Sequence, residues 1–177
     1  MIAYLQRITQ QRWSWLLLLV SAFFLELCAM VFQHGLGLFP CVMCVYERIA
    51  TMGLMAAALA VLINPKRALF RWLGILIWGY SAIRGLQLAL KHVDYLLNPS
   101  PFNTCSVLPD FPSWLPLHTW APWFFAAYAD CAERQWSFLG WELPQWLVPI
   151  FALYLVIWLV IVTANLAQKG HLGTCGE

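Results

Sequence analysis

Charged side chains are scarce in this sequence. Aspartate, glutamate, lysine and arginine make up 10% of its 177 residues, whereas 62% of the residues are hydrophobic. A soluble domain of this length has too little interior to bury so much apolar surface, so the composition excludes an ordinary soluble protein. Internal repeats and a separate polar region are also lacking. We therefore expect a single membrane domain over residues 1–177.

Four apolar stretches are long enough to cross a bilayer, which takes about 20 residues in a helix. They cover approximately 14–32, 42–63, 70–90 and 146–166. None alternates polar and apolar residues, which excludes a transmembrane β-barrel, and backbone groups in lipid must be satisfied within the segment. The predicted fold class is an all-α integral membrane protein, a four-transmembrane-helix bundle.

The first stretch follows Arg7 and Arg12, as the apolar region of a secretory signal would. It is too long for a signal, contains Glu26 and has no small-residue cleavage site. We therefore interpret it as a retained first helix.

Basic residues predict the orientation of the bundle, because they concentrate on the cytoplasmic side of membrane proteins. Those near the helix ends are Arg7, Arg12, Lys66, Arg67, Arg71 and Lys169. All of them fall on one side, which predicts cytoplasmic N and C termini. The loops at about 33–41 and 91–145 then face the opposite, outer side.

The long outer loop is rich in aromatic residues, including Trp114, Trp120 and Trp123. Tryptophan favours the headgroup region of a bilayer. We expect a short helix from Pro116 to Ala127 lying on the membrane surface. The alternative is a small cap packed only by protein contacts.

The six cysteines are Cys28, Cys41, Cys44, Cys105, Cys131 and Cys175. The predicted topology places four of them on the outer side, where disulfides persist. Cys28 lies inside the first helix and is interpreted as a small buried hydrophobic residue. Cys175 lies in the cytoplasmic tail and is interpreted as a reduced thiol. Four outer cysteines allow three pairings, and proximity in sequence favours Cys41 with Cys44, which leaves Cys105 with Cys131.

The stretch "PCVMC" places a closely spaced cysteine pair in the first turn of the second helix, directly after Pro40. The partial positive charge of a helix N terminus stabilises a thiolate. Arg48 lies four residues after Cys44, on the same helix face, and adds a positive charge that favours the thiolate. The same guanidinium could hold an oxygen-bearing electron acceptor dissolved in lipid. These features predict a redox-active pair at the membrane boundary.

Four charged residues lie within the predicted spans, at about 9–10 Å below their outer ends when counted by helical rise. They are Glu26, Glu47, Arg48 and Arg84. Charges at one depth suggest a functional polar layer, since buried charges in membranes are costly. The alternative is a structural ion pair between Glu26 and Arg84. His92 lies near the same boundary and is either interfacial or a hydrogen-bond donor to a quinone carbonyl.

The ordered segments "PCVMCVYER", "NPSPFNTC", "DCAERQW" and "PQW" resemble the DsbB family, bacterial inner-membrane oxidoreductases that form disulfides. The resemblance covers essentially the whole chain. It implies a DsbA-type periplasmic thiol oxidase as partner and a membrane quinone as acceptor. Ubiquinone is the implied quinone, with menaquinone under anaerobic growth.

The resemblance also implies the role of each site residue. Cys105 would form the mixed disulfide with the partner while Cys131 leaves. Electrons would then pass to the pair of Cys41 and Cys44. Cys44 would contact the bound quinone, together with Arg48 and His92.

Other functions remain open at this stage. A related enzyme could serve a different thioredoxin-like partner, and a quinone-linked reductase resembling vitamin K epoxide reductase would move electrons in the reverse direction. A non-enzymatic protein could use the disulfides only to brace its loop. A Cys₄ zinc site is disfavoured because the second cysteine pair lacks close spacing. We expect no metal site and no nucleic-acid partner.

Overall fold

The computed structural model describes residues 7–100, 105–106 and 108–172, with side chains described up to residue 166, so Cys175 lies outside the described residues. Four helices in this part of the chain are long and apolar enough to cross a membrane, which confirms the predicted fold class. They are α1 (Arg12–Met30, continued by a π-helical turn, Val31–Gly35), α2 (Val42–Ile63), α3 (Ala68–Leu97) and α6 (Leu143–Leu172). Between α3 and α6 lie α4 (Leu117–Trp120), α5 (Pro122–Phe125) and a hairpin of β1 (Ser137–Phe138) and β2 (Trp141–Glu142).

Helices α2 and α3 pack against each other, and α1 packs against α2 while α6 packs against α3. Small residues at the interfaces, such as Ala57 and Ala82, let the helix backbones approach closely. Trp15 of α1 meets Trp78 of α3 edge to face, with ring centroids 5.9 Å apart. Dense packing of this kind replaces the hydrophobic effect as the force between helices in lipid.

Helix α3 continues to Leu97, beyond the predicted end near residue 90. The added turns are amphipathic: Lys91 and Asp94 are exposed, whereas His92 and Tyr95 are buried against the bundle. Hydropathy alone ended the helix too early, because it counts the exposed polar residues of this last part against a span.

The bounds of α1 and α6 also differ from the predicted ones. Helix α1 starts at Arg12 and is prolonged to Gly35 by the π-helical turn. Helix α6 starts at Leu143, with Pro144 in its first turn, where a missing backbone N–H costs no hydrogen bond. The loops on the outer side are correspondingly shorter than predicted.

The single helix predicted from Pro116 to Ala127 is wrong. Two helices of 4 residues each, α4 and α5, take its place. They are separated at Ala121, whose backbone (φ −136°, ψ 69°) is non-helical because the following Pro122 disfavours the helical conformation. Trp114, Trp120 and Trp123 are all exposed, and their contact with lipid headgroups stays a prediction.

Gly74 allows the close crossing of α3 over α2. A Cβ atom there would collide with the side chain of Val61 and lie 2.9 Å from the carbonyl oxygen of Ala57. Because a backbone atom cannot move aside cheaply, we expect Gly74→Ala to lower the free energy of unfolding by about 1–3 kcal/mol. Gly35→Ala is the matched control, since its Cβ would make an ordinary 3.6 Å contact with Val31. Thermal unfolding in detergent measures both, and equal melting of the two variants would contradict the packing described.

Candidate redox site

The first cysteine pair caps helix α2. Cys41 adopts an extended backbone (φ −89°, ψ 174°), and its Sγ accepts a hydrogen bond of 3.3 Å from the backbone N–H of Cys44. The two sulfur atoms lie 3.0 Å apart as free thiols, so the predicted disulfide between them is not formed in this structure. Cys41 is buried and Cys44 is half-buried. The first helical turn thus holds both sulfurs at a separation from which a disulfide can form with little movement.

The second cysteine pair, Cys105 and Cys131, forms a disulfide. Cys131 is only 1% exposed, whereas Cys105 is half-buried. The chain just before Cys131 is held against the start of α2, because the N–H groups of Tyr128 and Ala129 donate to the carbonyl oxygen of Pro40 at 2.9 and 3.3 Å. As a result, both cysteine pairs belong to one buried cluster at the same end of the bundle.

His92 of α3 lies between Glu47 and Cys41. Its Nδ1 is 3.1 Å from Oε1 of Glu47, and its Nε2 is 3.4 Å from Sγ of Cys41. All three residues are buried, and a Glu47 carboxylate that accepts from Nδ1–H would leave Nε2 facing the Cys41 thiol. The sequence placed His92 at the membrane boundary and Glu47 in the polar layer, but it predicted no contact between these two residues.

Arg48 ties α2 to α1 and to the outer segment. Its guanidinium donates to Oε1 of Gln33 at 2.6 Å and to the carbonyl oxygens of Phe124 and Ala29 at 3.0 and 3.3 Å. It also lies over the Phe124 ring, 5.4 Å from the centroid. Gln33 in turn donates to the carbonyl oxygen of Trp123 at 3.0 Å. Sequence analysis missed Gln33, although a polar residue near the end of an apolar helix was a signal for such a role.

A cavity of about 380 Å³ opens beside the first cysteine pair. Cys44, Arg48, Glu47 and His92 form part of its wall. The apolar part of the wall includes Leu25, Phe32, Trp136, Phe138, Leu147 and Ile150. A mostly apolar cavity with a few convergent polar groups suits a flat organic molecule with polar atoms at its rim.

The hairpin of β1 and β2 closes one side of this cavity. Leu139 and Gly140 form its two-residue turn, and both have positive φ angles (53° and 80°), as hairpin turns of this length require. The Phe32 and Trp136 rings are 5.0 Å apart, which joins α1 to the chain leading into the hairpin. Trp141 packs on Trp146 of α6 at 5.2 Å. Aromatic contacts therefore hold the hairpin between α1 and α6.

Three of the four charges predicted to form a polar layer are buried and line the cavity: Glu26, Glu47 and Arg48. Both carboxylate oxygens of Glu26 lack a hydrogen-bond partner among the described residues. The prediction is wrong for Arg84, which is exposed and donates to Oε1 of Gln87 at 3.1 Å. The alternative ion pair between Glu26 and Arg84 is wrong for the same reason.

Comparison with known proteins gives a family match over most of the chain. The family model described as "Disulfide bond formation protein DsbB" matches residues 11–161. The chain is 55% identical over 168 residues to Disulfide bond formation protein B of Aeromonas salmonicida, covering 95% of this chain and 97% of that protein. It is 50% identical over 170 residues to the protein of the same name from Vibrio cholerae, covering 96% and 98% of the two chains. The corresponding protein of Photobacterium profundum is 53% identical over 166 residues, 94% of each chain.

Proposed function

Because the chain belongs to the DsbB family of disulfide bond formation proteins, we propose that it oxidises a DsbA-type periplasmic thiol oxidase and passes the electrons to a membrane quinone. The family and the four apolar helices make it a multi-pass inner-membrane protein and a disulfide-forming oxidoreductase. The proposal adds the protein-dithiol:quinone reaction, the partner and the acceptor to that assignment. In this proposal, residues 1–177 form one membrane domain.

The observation that carries the proposal is the arrangement of the two cysteine pairs. Cys105, Cys131, Cys41 and Cys44 meet in one buried cluster, and Cys44 also lines the apolar cavity. One end of this chain of sulfurs is half-buried at Cys105, within reach of a protein partner. The other end reaches a site suited to a lipid-soluble acceptor.

The electron path we propose consists of thiol–disulfide exchange steps. A thiolate of the reduced partner attacks Cys105, and Cys131 leaves as the thiolate. The partner's second thiolate then attacks the partner's own sulfur in the mixed disulfide. This step releases the oxidised partner and leaves both Cys105 and Cys131 reduced. The reduced Cys105 and Cys131 then reduce the disulfide of Cys41 and Cys44, and the disulfide between Cys105 and Cys131 forms again.

The last step transfers two electrons and two protons from the dithiol of Cys41 and Cys44 to the quinone, which becomes the quinol. We assign ubiquinone as the acceptor, with menaquinone as a second acceptor under anaerobic growth. Arg48 and the start of α2 stabilise the Cys44 thiolate. Arg48 and His92 line the cavity where the quinone carbonyls would lie. Glu26 and Glu47 are the carboxyl groups placed to exchange protons there.

Glu47 and His92 form the proposed proton path for Cys41. The Nε2 lone pair, 3.4 Å from Sγ, takes the thiol proton while the Glu47 carboxylate stabilises the resulting imidazolium. We expect Glu47→Gln, which keeps the shape but removes the charge, to slow quinone reduction by about 10- to 100-fold. Stopped-flow quinone absorbance measures this rate.

Glu142→Gln is the matched control for Glu47→Gln. Glu142 also lies at the cavity wall, but its backbone N–H bonds to Gln145 and its carboxylate has no histidine contact among the described residues. A rate unchanged by Glu47→Gln, or lowered equally by both substitutions, would remove Glu47 from the path.

The orientation of the bundle follows from charge. The connection between α2 and α3 lies at the end opposite to the cysteines and carries Lys66 and Arg67, and Arg71 follows in the first turn of α3. The positive-inside rule supports a cytoplasmic location for this end of the bundle and for both termini. Both cysteine pairs would then lie on the periplasmic side.

The function is tested with purified protein in detergent, a reduced DsbA-type protein and a soluble ubiquinone analogue. We expect catalytic loss of quinone absorbance that requires both the partner and the protein. A reductase of the opposite direction would instead oxidise quinol when given the oxidised partner. A non-enzymatic brace would give neither reaction, and either of those results would overturn the proposal.

A further inference from the structure

We propose that the reduced pair of Cys41 and Cys44, together with His92, binds one zinc ion, and that this ion blocks the pair from reoxidation. The two Sγ atoms and Nε2 of His92 all lie within 4.8 Å of one another. Two thiolates and one imidazole are a known zinc ligand set that leaves a fourth position open. Sequence analysis expected no metal because it considered the four cysteines as ligands and could not bring His92 to the pair.

The position of Glu47 strengthens the assignment. A histidine that binds zinc usually donates its other ring N–H to a carboxylate, which fixes the tautomer and the ring orientation. Oε1 of Glu47 lies 3.1 Å from Nδ1 of His92 and provides this contact. Nε2 then directs its lone pair at the sulfur atoms, as a metal ligand must.

The distances need little adjustment. A tetrahedral zinc ion with Zn–S of about 2.3 Å and Zn–N of about 2.0 Å sets the ligand atoms about 3.8 Å apart for two sulfurs and about 3.5 Å for sulfur and nitrogen. Cys41 Sγ and His92 Nε2 are already 3.4 Å apart, while the two sulfurs are 3.0 Å apart. The two sulfurs therefore have to separate by less than about 1 Å, and Cys44 Sγ has to settle at a similar ligand distance from His92, from which it now lies within 4.8 Å. Cys44 is half-buried and borders the cavity, which leaves room for this movement and for a fourth ligand.

The charge balance also favours the ion. Two thiolates in a buried site are costly, whereas a zinc ion with two thiolates and a neutral imidazole is neutral. Binding releases the thiol protons to solvent. The disulfide form offers no thiolate, so only the reduced pair binds. Binding of the ion stands by itself, while its effect on quinone reduction rests on the proposed function.

The test uses the full chain with Cys105→Ser and Cys131→Ser, so that oxidised and reduced samples differ only at Cys41 and Cys44. Cys28 and Cys175 are expected to be thiols in both samples. Subtracting the spectrum of the oxidised sample therefore removes any cadmium absorption that they cause. Cadmium is the spectroscopic probe, because cadmium thiolates have a charge-transfer absorption band in the ultraviolet that the metal and the thiol lack when apart. We expect one equivalent of cadmium to bind on reduction, and zinc to displace it.

The ligand variants decide the assignment. Cys44→Ser should abolish the absorption, and Glu47→Gln should weaken binding by about 10- to 100-fold without removing a ligand. His92→Ala should weaken cadmium binding further than Glu47→Gln does. Circular dichroism shows whether the His92→Ala variant has folded. Equal binding by the reduced parent and the Cys44→Ser or Glu47→Gln variant would overturn the proposal.

A second readout separates this inference from the proposed function. The reduced chain is mixed with the quinone analogue, with and without one equivalent of zinc. Quinone reduction without zinc supports the function by itself, and its suppression by zinc with recovery after adding a chelator is the expected result. Undiminished reduction in the presence of zinc would overturn the inhibitory site while leaving the function intact.

Discussion

Replacing Cys44 by alanine is expected to lower quinone reduction to the uncatalysed rate, a loss of more than about 1,000-fold. Cys41 then has no second sulfur 3.0 Å away with which to form a disulfide, so no electron pair can leave for the acceptor. The fold should survive, because Cys44 is only half-buried and its backbone N–H can still bond to Cys41. The assay follows quinone absorbance with a reduced DsbA-type partner.

Cys105→Ala is the comparison variant for Cys44→Ala. Both should lose turnover driven by the partner, but for different reasons. Cys44→Ala keeps the disulfide of Cys105 and Cys131 and should still exchange with the partner, which a gel shift of the mixed disulfide detects. Cys105→Ala should form no such species. Turnover by Cys44→Ala, or an identical exchange pattern in the two variants, would contradict the proposed path.

Arg48→Met should lower kcat/KM for the quinone by about 100-fold, the size expected when a preorganised donor is lost from a water-excluded site. The substitution also removes the hydrogen bonds of 2.6 Å to Gln33 and 3.0 Å to Phe124, which hold the outer segment to the bundle. Arg48→Lys should recover part of the loss, because it restores the charge without the planar fork. Steady-state kinetics with varied quinone measure both variants.

Arg84→Met is the matched control for Arg48→Met. Arg84 is an arginine of a neighbouring spanning helix, but it is exposed and bonds to Gln87 of its own helix. Its loss should leave kcat/KM within about twofold, as expected for a surface change away from the site. Equal losses from the two substitutions would mean that Arg48 acts only through the positive charge that it adds to the spanning helices. They would contradict a specific contact of Arg48 at the cavity.

The four-helix architecture could be predicted from the sequence because long apolar runs carry the strongest signal that a membrane imposes. The position of the first cysteine pair at the start of α2 followed from Pro40 and the spacing of Cys41 and Cys44. The ends of α3 and α6 were harder to predict, since amphipathic turns and a hairpin extend beyond the apolar core.

The error at Arg84 has a physical cause. Depth was counted along the helix, but the side of the helix was not considered. Buried residues of α3, most of them small, recur with helical spacing, and they are Gly74, Trp78, Ala82, Gly85, Ala89 and His92. This stripe faces the bundle and was visible in the sequence. It places His92 inside and Arg84 outside.

The contacts of His92 with Glu47 and Cys41 could not be predicted. They join α3 to α2 across residues far apart in the chain, and the helical pattern gives the face of each helix without the height at which two helices meet. The backbone contacts of Arg48 with the outer segment have the same origin, since that segment carries no periodic signal.

In the proposed path, the dithiol of Cys41 and Cys44 gives its electrons directly to a quinone. A single-turnover measurement tests it without the partner. The protein is reduced, freed of reductant under argon, mixed with a ubiquinone analogue, quenched with an alkylating agent and mapped by mass spectrometry. We predict one quinol formed for each new disulfide between Cys41 and Cys44. Folded protein that leaves the quinone unreduced and both of these thiols alkylated would rule out this direct transfer.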